Sequence, residues 1–402
     1  MSRSNLIRRS TIATAVLTCL TINSLSSVTA APLNSDPLRL LKENIKPIDL
    51  PNGKPAMVAY SLTGNNKTNE NWLIALRQMH EMGVQVVELG QLGWADTEQK
   101  PGHYNWGYAE KVLRINKEEN LGLQFVADIG MFINPGLDGK PKLPAYLKGK
   151  NYDDPKVIAA LSNLYKAFLN LPGADSVKYL FNHFENAESS FKSQMNQRSR
   201  AQKLLRESFA AAKRERPDIK TGVCIESYER PHYPEKMIAF WNLEIGTDIV
   251  PIISFGPANY DKKKNNVNST ITEFEAILTR TQGKPIALNE TLLQSSTKVD
   301  NSNPEKQAAF VRELFKLLAK HHDNIEFATW YEYCDLDPMI ANVLGLYLGT
   351  ISSAPWTAGY FADFMGSCGL FTTTGEMKPA AQAWCEEIAN YYKIRSKEKR
   401  NH

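Results

Sequence analysis

Two glutamates directly follow short apolar segments of the kind that form strands. Glu185 follows the run Val177-Lys-Tyr-Leu-Phe-Asn-His-Phe, and Glu290 follows Pro285-Ile-Ala-Leu-Asn. If both strands belong to one parallel barrel, the two carboxylates converge at the same end of it. A pair of carboxyl groups about 5–5.5 Å apart can cleave a glycosidic bond with retention of configuration, because one protonates the leaving oxygen and the other attacks the anomeric carbon.

Eight apolar runs alternate with helical patterns along the chain. The predicted strands are 56–61, 84–89, 123–129, 177–184, 219–225, 248–254, 285–289 and 325–331. The predicted helices are 71–82, 106–119, 154–169, 199–215, 234–243, 270–281, a run after Ser302 and 379–392. Strand–helix alternation repeated eight times predicts an α/β fold, a (β/α)₈ TIM barrel in a single domain.

Two parts of this pattern bear on the position of a site. The helix after Ser302 opens with Ser302-Asn-Pro-Glu305, which predicts a capping box with proline in the first turn. The long connections 130–153 and 332–378 follow strands three and eight. Loops that follow strands lie at the mouth of such a barrel, so we expect them to form the walls of a cleft.

The N-terminus has the pattern of a secretory signal peptide. Three arginines precede an apolar stretch at 11–22 and a small-residue exit at 28–31. The stretch is too short and too rich in Thr, Asn and Ser to span a bilayer. We therefore predict cleavage of residues 1–30, no membrane insertion afterwards, and a secreted or periplasmic barrel domain over 31–402. Its basic end, 392–402, is expected to be a solvated tail.

Charge and cysteine content exclude several kinds of partner. The formal charge of +4 falls to +1 without residues 1–30, which carry three Arg and no acids. A nearly neutral chain argues against a nucleic-acid partner. No C-x-x-C, H-E-x-x-H, G-x-S-x-G or phosphate-binding glycine motif occurs, so neither a metal nor an organic cofactor is expected. Cys224 is predicted to be a core residue, whereas a disulfide among Cys334, Cys368 and Cys385 and free thiols both stay open.

Three further segments carry a resemblance to a known group of enzymes. Residues 94–106 contain Glu98-Gln-Lys-Pro-Gly-His-Tyr-Asn-Trp106, strand eight reads Phe327-Ala-Thr-Trp-Tyr-Glu-Tyr333, and the chain later contains Gly369-Leu-Phe-Thr-Thr-Thr-Gly-Glu-Met-Lys-Pro-Ala380. With the two glutamates, these segments resemble the retaining glycoside hydrolases of clan A. The helix start at 304–308 and the Gly-Leu-Phe segment are most similar to arabinogalactan endo-β-galactanases and β-mannanases.

The resemblance assigns roles to individual residues. In the clan the acid/base glutamate ends strand four and the nucleophile ends strand seven, which implies Glu185 as acid/base and Glu290 as nucleophile. Trp330 matches a tryptophan that commonly lies under the sugar being cleaved. The further candidates for substrate binding are His183, Trp94, Tyr228 and Tyr260.

The chain departs from the clan pattern beside the acid/base. Most members have Asn directly before that glutamate, where its amide contacts the sugar, but Phe184 occupies this position here. Asn182 or Asn186 could take over the contact. Glu188 stays open as an alternative to Glu185.

These observations predict a secreted retaining β-glycosidase that hydrolyses poly- or oligosaccharides by double displacement without a metal or cofactor. A carbohydrate-binding barrel with impaired catalysis and a transglycosylase are the alternatives. The oligomeric state stays open.

Overall fold

Eight parallel strands pair in chain order to form a barrel. They are β1 (Lys54–Val58), β2 (Val86–Gly93), β3 (Gln124–Gly130), β4 (Val177–Asn182), β5 in two pieces (Lys220–Val223 and Ile225–Glu226), β6 (Val250–Ile253), β7 (Ile286–Thr291) and β8 (Ile325–Trp330). β8 pairs with β1. The first piece of β5 pairs with β4 and the second with β6, so the sheet closes around Cys224. The predicted barrel is confirmed.

The structure is a computed structural model that describes residues 45–58, 69–130, 143–183, 195–226, 238–253, 256, 267, 269–299, 301–351 and 358–401. The predicted signal peptide, residues 1–30, lies outside this part of the chain.

Helices follow the strands and pack around the barrel. They are α1 (Asn69–Glu81), α2 (Trp94–Thr97), α3 (Tyr108–Glu118), α4 (Pro155–Leu169), α5 (Met195–Glu215), α6 (Ser269–Leu278), α7 (Pro304–His321), α8 (Pro338–Ile351), α9 (Ala358–Met365) and α10 (Pro379–Asn401), with a π-helical segment at Ile238–Leu243 and 3₁₀ turns at Ala145–Leu147, Ala174–Ser176 and His322–Asn324. Among the described residues, none of these helices combines the length and apolarity needed to cross a bilayer.

Three local expectations from the sequence are corrected. The N-cap of α7 is Asn303, whose side chain accepts a hydrogen bond from the Lys306 amide, whereas the Ser302 hydroxyl donates to the Gln294 carbonyl. The connection expected over 332–378 contains α8 and α9. The basic end is helical to Asn401 instead of a tail, because α10 continues past the predicted boundary.

Apolar side chains fill two layers. The larger layer lies between the strands and the surrounding helices. The smaller layer lies inside the barrel and includes Val86, Val126, Phe181, Ala287 and Phe327. Strand side chains alternate between these two layers because successive residues point to opposite faces of a sheet.

A polar network closes the amino-terminal end of the barrel. The Lys54 amine donates to the Tyr179 hydroxyl at 3.1 Å, which donates to the Glu326 carboxylate at 3.4 Å. Lys220 forms an ion pair with Glu326. An irregularity in the pairing of β8 with β7 at this residue places the Glu326 carboxylate at the barrel floor. Each buried polar group in this network therefore has a partner.

The Gly-Leu-Phe segment is held beside β8 by buried polar contacts. The Lys378 amine lies 2.9 Å from the Asp335 carboxylate, and the same carboxylate oxygen accepts the Gly369 amide at 2.8 Å. The Gln307 amide donates to the Leu293 carbonyl at 2.8 Å and faces the Gly369 carbonyl at 3.3 Å. The residues that carry the resemblance in the Gly-Leu-Phe segment therefore hold this segment against the barrel.

The sequence left open whether the cysteines after residue 30 form a disulfide, and the structure shows that they do not. Cys224, Cys334, Cys368 and Cys385 are free thiols, and only Cys334 is not fully enclosed.

Glycine is required at position 369. A Cβ there would lie 2.1 Å from the Asp335 nitrogen and 2.2 Å from the Cys334 carbonyl carbon, and both are backbone atoms that cannot rotate away. We expect Gly369→Ala to lower the free energy of unfolding by at least about 2 kcal/mol, the scale of an overpacked core. Urea unfolding followed by circular dichroism measures this.

Gly359→Ala in α9 is the matched control, because no atom lies within 4 Å of the added Cβ. We expect this variant to match the wild type or exceed it slightly, since alanine restricts the unfolded chain more than glycine does. Equal stabilities for the two variants would contradict the packing argument.

Candidate active site

A layer of polar side chains lies above the apolar interior of the barrel, at the carboxyl ends of the strands. Val86 and Val126 point inward, so Glu88 and Asp128, two residues further on, point inward as well. On β4 the inward series is Tyr179 and Phe181, followed by His183. The fully or almost fully buried members of this layer are Glu88, Asp128, His183, Cys224, Asn289 and Thr329.

Short contacts join four strands within this layer. His183 Nδ1 lies 2.9 Å from Asp128 Oδ2. The Cys224 thiol lies 3.6 Å from the same oxygen and can donate to it. The Asn289 amide nitrogen lies 3.8 Å from the Cys224 sulfur and can donate to it. The layer therefore connects β3, β4, β5 and β7.

Irregular strand pairing sets the position of Glu290. From Leu288 to Thr291 the chain of β7 advances three residues while β8 advances two, from Ala328 to Trp330. Such a bulge breaks the simple alternation of faces and re-aims side chains. Asn289 is fully buried against Cys224, whereas Glu290, at 6% exposure, lies at the rim of the same layer.

β2 has a similar irregularity. Glu88 pairs with Val126 and Gln91 with Asp128, so β2 contains one extra residue between them. Gly90 takes a φ of 75° there, a left-handed conformation that glycine adopts without steric cost. The side chain of Glu88 lies before this irregularity and faces the barrel interior. The chain leaves the barrel only after the extra residue.

Burial and mutual repulsion favour the neutral form of two carboxyl groups. Enclosure raises the pKa of Glu88 well above its usual range, and the charges of Glu290 and Asp128 raise it further, while the Asn289 side chain opposes the shift. Neither Glu88 oxygen accepts a well-aligned hydrogen bond from a described residue. Both effects shift this buried carboxyl group towards its protonated form.

Glu332, two residues after β8, is in a similar environment. Burial raises its pKa well above the usual range, the charge of Asp335 adds to this, Lys378 opposes it, and the charge of Glu290 raises it again. Glu290 thus lies within electrostatic range of two enclosed carboxyl groups, Glu88 and Glu332.

Several residues predicted for the site lie outside the described part of the chain. They are Glu185, Asn186, Glu188, Tyr228 and Tyr260. Their roles stay predictions. His183 lies inside the mouth, although its ring contacts Asp128.

Two predicted tryptophan contacts do not fit the structure. Trp330 points away from the barrel interior, its indole nitrogen donates to the Cys368 carbonyl at 3.1 Å, and its ring packs near Phe310 of α7. Trp94 is fully buried, and its indole nitrogen donates to Glu98 at 2.8 Å. Neither ring presents a face to the mouth, so stacking on a sugar is corrected to packing in the core.

The suggested role of Asn182 is corrected in the same way. Its amide nitrogen donates to the Ile129 carbonyl at 2.9 Å and to the Tyr165 hydroxyl at 3.1 Å. Tyr165 belongs to α4, so the side chain points out of the barrel towards the helices. It cannot contact a sugar in the mouth in place of the missing asparagine.

Glu98 in the segment after β2 serves the fold. Its carboxylate accepts the Trp94 indole and, at 2.9 Å, the Gly102 amide. The Asn105 amide donates to the Thr97 carbonyl. These bonds fix the turn that leads into α3, which explains the Glu-x-x-Pro-Gly spacing.

The sequence prediction missed Glu88, Asp128, Cys224, Asn289 and Glu332. Glu88 and Asp128 had a usable signal, because each is an acid inside a strand that is otherwise apolar, and acids are almost never fully buried without a specific reason. The sequence around Asn289 and Glu332 carries no pattern that distinguishes these two residues from ordinary loop residues.

Comparison with known proteins gives a match to one family model and matches to solved structures. The model of glycoside hydrolase family 42, described as beta-galactosidase, matches residues 63–126. GH5_18 from Streptomyces cattleya, solved in complex with GlcNAc, superposes with a TM-score of 0.59 at 14% identity over 84% of this chain and 80% of that chain. The fold is that of clan A glycoside hydrolases.

Other clan A structures agree. The GH53 catalytic domain of Ignisphaera aggregans matches with a TM-score of 0.58 at 16% identity over 85% of this chain and 98% of that chain. The exo-beta-1,4-mannosidase Op5Man5 from Opitutaceae bacterium strain TAV5 matches with a TM-score of 0.59 at 14% identity over 85% of this chain and 60% of that chain. Curated protein sequences give no match. The predicted resemblance to clan A glycosidases is confirmed, for the whole fold and for the segment around β2.

The protonation of Glu332 can be tested through stability. Because burial raises its pKa, the folded state holds a proton that the unfolded state releases above the ordinary glutamate pKa of about 4.3. The wild type therefore loses stability as the pH rises from there towards the raised value, and Glu332→Gln does not. We expect the stability of the variant relative to the wild type to grow across this range.

Urea unfolding at several pH values between about 4 and 8 measures that difference. Glu110→Gln, at an exposed position of α3, gives the baseline for removal of one surface carboxylate. A difference between Glu332→Gln and wild type that is constant with pH would show that Glu332 titrates alike in both states.

Proposed function

We propose that this chain is a retaining β-glycosidase in which Glu290 is the nucleophile and Glu185 the acid/base. The observation that carries the proposal is the position of Glu290, which follows four buried residues of β7 and reaches the rim of the polar layer. Active sites of these barrels lie at this end.

The electrostatics of the mouth suit a nucleophile at this position. Glu88 and Glu332 both have pKa values raised by burial and by the charge of Glu290. When these two groups keep their protons, the negative charge is left on Glu290, where a nucleophile needs it.

The direction of β4 supports Glu185 as the partner. Tyr179 and Phe181 face the barrel interior and His183 faces Asp128, which brings the end of β4 into the mouth two residues before Glu185 in the sequence.

The proposed reaction has two steps. Glu185 protonates the leaving oxygen while Glu290 attacks the anomeric carbon, which forms a glycosyl ester and releases the aglycone. Glu185 then takes a proton from water, whose oxygen attacks the anomeric carbon and frees Glu290. The two inversions give net retention.

The proposed substrates are β-linked poly- or oligosaccharides. Among structures with this fold, GH5_18 proteins were solved with GlcNAc and with Manb1-4GlcNAc, and Op5Man5 is an exo-beta-1,4-mannosidase. We also propose that the pattern at residues 1–30 exports the chain, so that it acts outside the cytoplasm.

Replacement of the nucleophile tests the chemistry. We expect Glu290→Ala to lower the rate on an aryl β-glycoside by roughly four orders of magnitude or more, the scale seen when a hydrolase loses its nucleophile. External azide should restore part of the rate and give the α-glycosyl azide, because it attacks from the vacated side. Product analysis by NMR checks the anomer.

An activated 2-fluoro sugar provides a second readout on the wild type. It should add one glycosyl unit to the peptide that contains Glu290, and the intact mass also gives the mature N-terminus. Glu110→Ala, at the surface, is the control and should keep full activity. Full activity of Glu290→Ala would refute the assignment. Oligosaccharide binding without turnover would favour a binding barrel, and transfer to acceptor sugars a transglycosylase.

The acid/base assignment has its own test. We expect Glu185→Ala to lose about 10²–10⁴-fold in rate on substrates with poor leaving groups, which need protonation, and much less on activated ones. Glu188→Ala is the matched control three residues away and should keep the wild-type dependence on the leaving group. The reverse pattern would assign the role to Glu188.

A further inference from the structure

We propose that Asp128, His183 and Cys224 form a zinc-binding site inside the barrel mouth. These three residues are called the Asp-His-Cys cluster below. The proposal is independent of the glycosidase reaction, which needs no metal.

The geometry of the cluster is close to that of a metal site. One carboxylate oxygen of Asp128, a ring nitrogen of His183 and the sulfur of Cys224 lie within 4.8 Å of one another, and all three side chains are buried. Asp128 Oδ2 is 2.9 Å from the His183 nitrogen and 3.6 Å from the Cys224 sulfur. Zinc bonds of about 2.0–2.3 Å in a tetrahedral arrangement place ligand atoms about 3.3–3.8 Å apart, so small movements would be enough.

Neighbouring strands hold the ligands in place. Asp128 lies on β3, His183 directly follows β4, and Cys224 lies between the two pieces of β5. The Cys224 amide donates to the Asn182 carbonyl at 3.0 Å, which ties the ends of β4 and β5 together. Ligands on strands of one sheet are positioned more rigidly than ligands on loops.

The surroundings contain more hydrogen-bond acceptors than donors. Asp128 Oδ1, Asn289 Oδ1 and both Glu88 oxygens have no well-aligned hydrogen-bond partner among the described residues. A divalent cation would compensate the negative charge of Asp128 and of a Cys224 thiolate, and the three protein ligands leave a fourth position for water.

The ligand types select the metal. Calcium and magnesium prefer oxygen ligands throughout, whereas a thiolate with an imidazole and a carboxylate suits zinc. Binding would convert the Cys224 thiol to a thiolate, release its proton to the solvent and use the lone pair of His183 Nδ1, without any change of oxidation state. The sequence motifs for zinc do not detect such a site, because its ligands come from three separate strands.

Metal binding to the whole mature chain tests the proposal. After treatment with a chelator and dialysis, we expect one zinc ion per chain by elemental analysis and a zinc-dependent rise of the melting temperature. Cobalt(II) in place of zinc should give a thiolate-to-cobalt charge-transfer band. Cys224→Ser should lose that band and bind zinc at least about 100-fold more weakly, more than the loss of an outer contact costs.

Cys385→Ser is the matched control, because it removes another buried free thiol, on α10. It should keep the band and the stoichiometry. If Cys224→Ser does not fold, Asp128→Asn replaces it and should bind zinc more weakly while keeping the thiol.

Two outcomes would overturn the proposal. A wild-type cobalt spectrum without the thiolate band would mean that the cluster is only a hydrogen-bonded triad. Equal zinc binding by wild type and both ligand variants would mean adventitious surface binding. Neither result bears on Glu290, whose role is measured separately by labelling and azide rescue.

Discussion

The barrel mouth encloses several carboxyl groups away from water, and this constraint shapes the rest of the site. Ionising all of them would be costly, because an unpaired buried charge loses its hydration. The unfavourable free energy of these buried charges is lowered in a different way at each carboxyl group. Asp128 contacts His183, Asp335 pairs with Lys378, and burial favours protons on Glu88 and Glu332. Of the described acids Glu88, Asp128, Glu290 and Glu332, Glu290 is the least buried, at 6% exposure.

Backbone irregularities make this distribution possible. A regular strand turns alternate residues inward, but β7 carries an extra residue that buries Asn289 and brings Glu290 to the rim. The extra residue of β2, with Gly90 in a left-handed conformation, keeps Glu88 inside while the chain leaves the barrel. Bulges beside active sites are a common way to aim a side chain. In this protein they determine which carboxyl group is accessible.

The sequence predicted the barrel because apolar runs and helical periodicity repeat eight times, and each repeat is a local signal. It singled out Glu290 because this acid follows the apolar run 285–289, and the catalytic role of Glu290 stays a prediction. It failed for Trp330 and Asn182, since a residue at the end of a strand can face either the mouth or the helices, and pairing with other strands decides which. The contacts of Glu88 and Cys224 depend on strands far apart in the chain, which a local pattern does not show.

The two ends of the described chain stabilise each other. β1 pairs with β8, and the hydroxyl groups of Tyr391 and Tyr392 on α10 donate to the carbonyls of Gly53 and Gly83, at either end of the β1–α1 segment. The two tyrosine contacts join residues 338 and 309 positions apart in the chain, and such non-local contacts form slowly in folding. During synthesis the barrel therefore cannot close until β8 has left the ribosome, and the first strand spends most of translation without this partner.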